Sequence, residues 1–148
     1  IKTLIKKNIS IAVAESCTGG LIGHRLTQVP GSSSVYNGGI ISYSNESKLN
    51  QVKINSNTLK NHGAVSEEVA LEMATNGRNI FDSDICVSVT GIAGPSGGKE
   101  DKPVGLVYVG YCSSNISKVE KFNFHSNRQS NKLRTSQAVL DLIMKNIE

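Results

Sequence analysis

Cysteine is scarce and unpatterned. The 148 residues hold three, Cys17, Cys86 and Cys112, an odd number with no CxxC spacing and no histidine at zinc-ligand distance. Neither a disulfide framework nor a zinc site is suggested, and the thiols read as reduced. Long apolar runs are missing too: none approaches the roughly 20 residues that span a bilayer. The opening Ile1, Lys2 and Thr3 lack a secretory pattern, so a soluble, cytoplasmic protein is expected. The 14 glycines are scattered instead of repeating, which argues against collagen-like, disordered and repeat architectures. Charge is mild, 16 basic against 12 acidic residues for a net +4. The bases gather at Lys2, Lys6 and Lys7 and again at Lys118, Lys121, Arg128, Lys132 and Arg134. They read as a solvated surface and argue against nucleic acid as the main partner. What is present is a 38% hydrophobic chain of one domain's length, expected to fold as a single unit over residues 1–148.

Residues 9–14, Ile-Ser-Ile-Ala-Val-Ala, read as a short buried strand, and Ile22, Leu26 and Val29 then recur at helical spacing until Pro30 and Gly31. A second strand runs from Val35 to Tyr43, with the intervening helix suggesting a right-handed parallel crossover. A short polar helix follows around Glu46 to Val52. Ser66, Glu67 and Glu68 supply an N-cap and first-turn acids for a helix whose face runs through Ala70, Met73, Ala74, Gly77, Ile80 and Phe81. Asp84 to Thr90 alternates as a third strand, and residues 91–98 are too glycine-rich for a regular element. Val104 to Cys112 and Lys118 to Phe124 form an expected antiparallel hairpin, and Leu133, Ser136, Leu140, Ile143 and Ile147 mark a closing helix. This order predicts an α/β protein with one mixed sheet covered by helices on both faces.

Ligands of open α/β sheets bind beyond the carboxyl ends of the parallel strands. Residues 16–20 and 91–98 both lie at such ends and face each other if their strands are neighbours. The start of the helix after Gly20 offers N–H groups that favour an anion. Named phosphate motifs do not match: Lys99 is followed by Glu100 where a Walker loop needs Ser or Thr, and a Rossmann turn needs more than the adjacent Gly19 and Gly20. Ser16, on a sharp strand-to-helix turn, reads either as a helix cap or as a nucleophile. Cys17 is the rival nucleophile, since a thiol at a helix start has a lowered pKa. His24, His62 and His125 have no triad setting, and the first two are expected on the surface. Lysine can serve serine as a base when its pKa is depressed, but spacing does not choose among the lysines.

Six blocks in order along the chain carry a resemblance. They are Ala14-Glu15-Ser16-Cys17-Thr18-Gly19-Gly20, Val29-Pro30-Gly31-Ser32-Ser33, Gly39-Ile40-Ile41-Ser42-Tyr43-Ser44-Asn45, Gly63-Ala64-Val65-Ser66-Glu67-Glu68, Thr90-Gly91-Ile92-Ala93-Gly94-Pro95 and Lys102-Pro103-Val104-Gly105. Together they resemble the CinA C-terminal domain family, also known as nicotinamide-nucleotide amidohydrolases. The resemblance implies a three-layer α/β/α sandwich around a five-stranded mixed sheet. It also implies hydrolysis of the carboxamide of nicotinamide mononucleotide to nicotinate mononucleotide and ammonia, a step of pyridine nucleotide recycling. Carried onto this sequence, the family's catalytic serine, lysine and tyrosine fall at Ser16, Lys48 and Tyr43. Cys17, Thr18, Gly19 and Gly20 are then expected around the oxyanion, and Thr90, Gly91 and Gly94 against ribose and phosphate, with Arg128 as a phosphate clamp. Cys17 is expected to pack behind the serine.

No metal or redox cofactor is called for, and an apolar helix face with low charge density leads us to expect a homo-oligomer, in its simplest form a dimer. The family is often joined to a separate N-terminal domain, which a chain lacking an initiating methionine leaves open. A competing reading is a non-catalytic module, either nucleotide-binding or engaging proteins or DNA in competence and damage responses. Ser16 and Lys48 would then be dispensable.

Overall fold

The segment Ile11-Ala12-Val13-Ala14 has no polar position, so it must be covered on both faces. In the computed structural model, which describes residues 1–147, it forms most of β1 (Ile11–Glu15), and every residue of that strand is buried. The remaining elements are α1 (Lys2–Lys7), α2 (Leu21–Thr27), a 3-10 turn (Ser32–Ser34), β2 (Tyr36–Ile41), α3 (Asn45–Asn50), α4 (Ser56–His62), α5 (Glu67–Ile80), β3 (Ile85–Gly91), β4 (Leu106–Cys112), β5 (Ser117–Asn123) and α6 (Arg128–Ile147). The sheet order is β2-β1-β3-β4-β5. β1 runs parallel to both neighbours, whereas β4 and β5 join antiparallel. The mixed sheet, its hairpin and the adjacency of the first and third strands follow the sequence reading.

Alternation along β1 sends Ile11 and Val13 to one face and Ala12 and Ala14 to the other. The first face packs with Leu4 of α1, Ile22 and Leu26 of α2, and Val139, Leu142 and Ile143 of α6. The second packs with Val69 and Met73 of α5. Small residues bring α5 close: a Cβ on Gly77 would lie 2.8 Å from Cys86 Sγ and 3.5 Å from Ala14 Cβ. Both edge strands carry exposed positions, alternating strictly along β2, as strands with one wet side do.

Two helices were not expected. α1 buries only Leu4, and α4 buries nothing; one or two turns leave no room for an apolar period. Ile80 is 46% exposed and Leu133 is 49% exposed, so neither belongs to the buried face assigned to it. On α6 the inward stripe begins with polar residues, Asn131, Thr135 and Ser136, before Val139. Asn131 donates to the carbonyls of Ala93 and Ser126, and Thr135 returns its hydroxyl to Asn131 O. A stripe held by hydrogen bonds from Asn131 Nδ2 and Thr135 Oγ1, with Asn131 Oδ1 left buried without a partner among the described residues, is invisible to a count of apolar spacing.

Candidate active site

The parallel ladder does not stop at the last residue of β1. Ser16 N–H donates to Val89 O at 3.1 Å, and Ser42 N–H donates to Glu15 O at 2.8 Å. Ser16 and Ser42 are therefore held side by side past the carboxyl ends of β1 and β2. After Ser16 the chain turns sharply, with Gly19 N–H returning to Ser16 O at 3.0 Å. Gly19 and Gly20 take φ values of +63° and +98°, which disfavour a side chain at either position.

Glu15 organises this turn. Its carboxylate is 1% exposed and accepts from Thr18 Oγ1 at 2.6 Å, Gly20 N at 2.9 Å, Ile22 N at 3.2 Å and Gly23 N at 2.8 Å. A carboxylate from β1 thus caps α2, occupying the end of the helix where an external anion was expected. Ser16 is not the cap, which leaves its hydroxyl for other work; Gly20 holds that position. The N–H groups of Gly19 and Gly20 are likewise engaged, so they are not oxyanion donors. Cys17 and Thr18 N–H donate to no carbonyl or carboxylate among the described residues.

α3 brings a lysine to Ser16. Ser44 caps it by accepting from Ser47 N at 3.0 Å, and Lys48 is its one buried residue, 2% exposed. Lys48 Nζ lies 2.9 Å from Ser16 Oγ, 2.8 Å from Ser42 O and 3.4 Å from Tyr43 O. Burial lowers the Lys48 pKa below its ordinary value, because the low-dielectric surroundings disfavour the ammonium. A neutral amine has two hydrogens and one lone pair. With both hydrogens given to the Ser42 and Tyr43 carbonyls, the lone pair points at the Ser16 hydroxyl.

Ser16 and Lys48 open into a cavity of about 210 Å³ whose walls include Cys17, Tyr43, Thr90 and Arg128. Gly91 and Ala93 also line it. Of the expected binding residues, Cys17, Thr90, Gly91 and Arg128 reach the cavity, while Thr18, Gly19, Gly20 and Gly94 do not line it. Thr18 is fully buried with its hydroxyl on Glu15. Gly94 instead offers its carbonyl to Arg128 Nη1 at 2.7 Å. Arg128 Nη2 donates to the Tyr43 hydroxyl at 2.8 Å, so the phenol serves the arginine and only the Tyr43 backbone serves Lys48. Thr90 directs its hydroxyl to Ala64 O at 2.6 Å.

Cys17, the rival nucleophile by position, is buried at the cavity wall. Burial pushes its pKa up to about 12, opposite to the lowering expected at a helix start, because α2 begins only at Leu21. His24, His62 and His125 are all exposed, and none lines the cavity. A larger hollow of about 470 Å³ lies between β5 and α6. It holds no serine, threonine or cysteine beside a base, so chemistry, not volume, selects the smaller one.

Nothing in the sequence pattern singles out Glu15, Ser42 or Lys132, yet the first two flank Ser16 and its turn. Lys132 Nζ sits against the turn, 3.8 Å from where a Cβ on Gly19 would be.

Comparison with known proteins shows the family and the fold. A competence-damage inducible protein from Halothermothrix orenii is 52% identical over 138 residues, covering 93% of this chain and 33% of the relative. Another, from Clostridium tetani, is 51% identical over 146 residues, covering 99% of this chain and 36% of the relative. The chain thus spans about a third of the length of these curated relatives. The crystal structure of competence/damage inducible protein CihA from Agrobacterium tumefaciens matches with a TM-score of 0.95 at 34% identity, over 97% of this chain and 88% of that one. The CinA C-terminal domain matches residues 1–147 without interruption, and the chain belongs to that family.

Proposed function

We propose that this chain hydrolyses the carboxamide of nicotinamide mononucleotide, giving nicotinate mononucleotide and ammonia by a Ser16–Lys48 mechanism. The observation that carries the reading is the 2.9 Å contact between Lys48 Nζ and Ser16 Oγ, with the lysine's other neighbours being carbonyls. Ser16 Oγ bonds to the amide carbon while its proton passes to neutral Lys48. The N–H group of Cys17, which lines the cavity, is the donor left for the oxyanion. Lys48 then protonates the amide nitrogen, the C–N bond breaks and ammonia leaves. Water, giving a proton to Lys48, adds to the ester carbon; the carbon–Oγ bond then breaks as Lys48 returns that proton to Ser16 Oγ, and the carboxylic acid released loses its own proton to solvent. Tyr43 contributes its carbonyl to the lysine and its phenol to the orientation of Arg128.

The test is ammonia release from nicotinamide mononucleotide by the purified chain, followed across pH. Because Lys48 acts unprotonated and burial lowers its pKa, kcat/KM rises with pH along an acid limb whose midpoint lies below that of an exposed lysine. A folded sample that binds the nucleotide but releases no ammonia at any pH supports the non-catalytic module suggested by the relatives' competence and damage names.

A further inference from the structure

A second cavity, of about 260 Å³, lies between α2 and the edge strand β2 and shares no lining residue with the Ser16 cavity. Val13, Ile40 and Ile41 line it alongside Glu15 and the half-buried Tyr36. Two glycines admit the phenol. A Cβ on Gly39 would lie 2.7 Å from the Tyr36 hydroxyl, and one on Gly23 would lie 2.7 Å from that hydroxyl and 3.6 Å from Glu15 Oε1. The hydroxyl and Oε1 therefore face one point, yet no hydrogen bond joins them, and Tyr36 Oη has no partner among the described residues.

The Glu15 carboxylate is unevenly filled. Oε2 accepts from Thr18 Oγ1, Gly20 N and Ile22 N, whereas Oε1 accepts from Gly23 N alone. Each carboxylate oxygen has room for about two donors, so Oε1 keeps one site. No basic side chain pairs with Glu15 among the described residues. Burial, and then the charge of Glu15, push the Tyr36 pKa up to about 12, which keeps the phenol neutral. A donor set between a spare carboxylate lone pair and a neutral phenol oxygen is held most strongly when it carries positive charge. The same negative charge turns anions away.

We propose that this cavity binds a small primary ammonium ion with a short alkyl group, its N–H groups bridging Glu15 Oε1 and Tyr36 Oη and its carbons resting against Ile41. Ile41 is 51% exposed and stands at the entrance. Because the same carboxylate ties down Gly20 and Gly23, an occupant acts on the turn that follows Ser16. The site stands whichever reaction Ser16 performs.

The test follows backbone amides by NMR while propylammonium chloride is titrated into the unmodified chain, beside tetramethylammonium chloride, which has no N–H to give, at matched ionic strength. Saturating shifts at the Gly20 and Gly23 amides are expected from propylammonium alone. Tyr36→Phe is expected to weaken binding by about 3- to 10-fold, the loss of one hydrogen bond. Ile41→Lys, which fixes a like charge at the entrance, is expected to abolish saturation. Melting temperatures measured without amine check that each variant folds. No saturation with propylammonium, as when water alone fills the gap, overturns the proposal. So do equal shifts from both cations, shifts that spare Gly20 and Gly23, or unchanged affinity in a folded variant.

Discussion

Lys48→Met is expected to lower ammonia release by about 10²- to 10⁴-fold, the range for loss of a general base, without lowering the melting temperature. Methionine fills nearly the same space and removes an amine that is 2% exposed, so the folded state no longer holds an ionisable group out of water. The pH dependence of stability separates this from a packing defect. In the unmodified chain the folded pKa of Lys48 lies below the unfolded one. Between the two values the unfolded state binds more protons, so stability rises with pH across that window and levels off above it. Lys48→Met loses this rise. Lys48→Arg, which keeps the charge but cannot give it up at accessible pH, is expected to be as inactive as the methionine variant and less stable.

Glu15→Ala is expected to give the largest loss of stability, about 3–5 kcal/mol by chemical denaturation, the range for removing one partner of a buried, multiply bonded charge. Four donors would be orphaned, three of them N–H groups at Gly20, Ile22 and Gly23. Glu15→Gln keeps the volume and one acceptor oxygen. Because Oε1 and Oε2 both accept in the native turn, its amide NH₂ meets at least one donor head-on, and a loss of about 1–3 kcal/mol is expected. Activity falls in both variants, since the turn that aims Ser16 is tied down by this carboxylate. A Glu15→Ala chain as stable as the original would show that the turn holds its shape without it.

Ser16 and the cavity's location were legible in the sequence because they follow from topology: two parallel strands of apolar residues, each ending in a glycine-rich loop, place those loops together. Lys48 was not legible in that way. α3 is Asn-Glu-Ser-Lys-Leu-Asn and its one buried residue is the lysine, so periodicity reads a solvated helix. Only the resemblance of the surrounding blocks pointed to it. Glu15 was hidden for another reason: three of its four partners are backbone N–H groups, which every residue type carries, and a lone acid at a strand end reads as a surface boundary. Lys132 looked like one of several bases in a charged terminal helix. The buried stripe that fixes its neighbours, Asn131, Thr135 and Ser136, is polar. For Glu15 and for the polar stripe of α6 the missing signal is a hydrogen bond, not a hydrophobic contact.

The central claim is that Ser16 is the nucleophile and that its neighbour Cys17, held protonated by burial, is not. Ammonia release from nicotinamide mononucleotide, measured side by side for the unmodified chain, Ser16→Ala and Cys17→Ser, tests it most directly. Turnover lost by about 10³-fold or more in Ser16→Ala and retained in Cys17→Ser is the predicted result. An active Ser16→Ala beside an inactive, folded Cys17→Ser would contradict it.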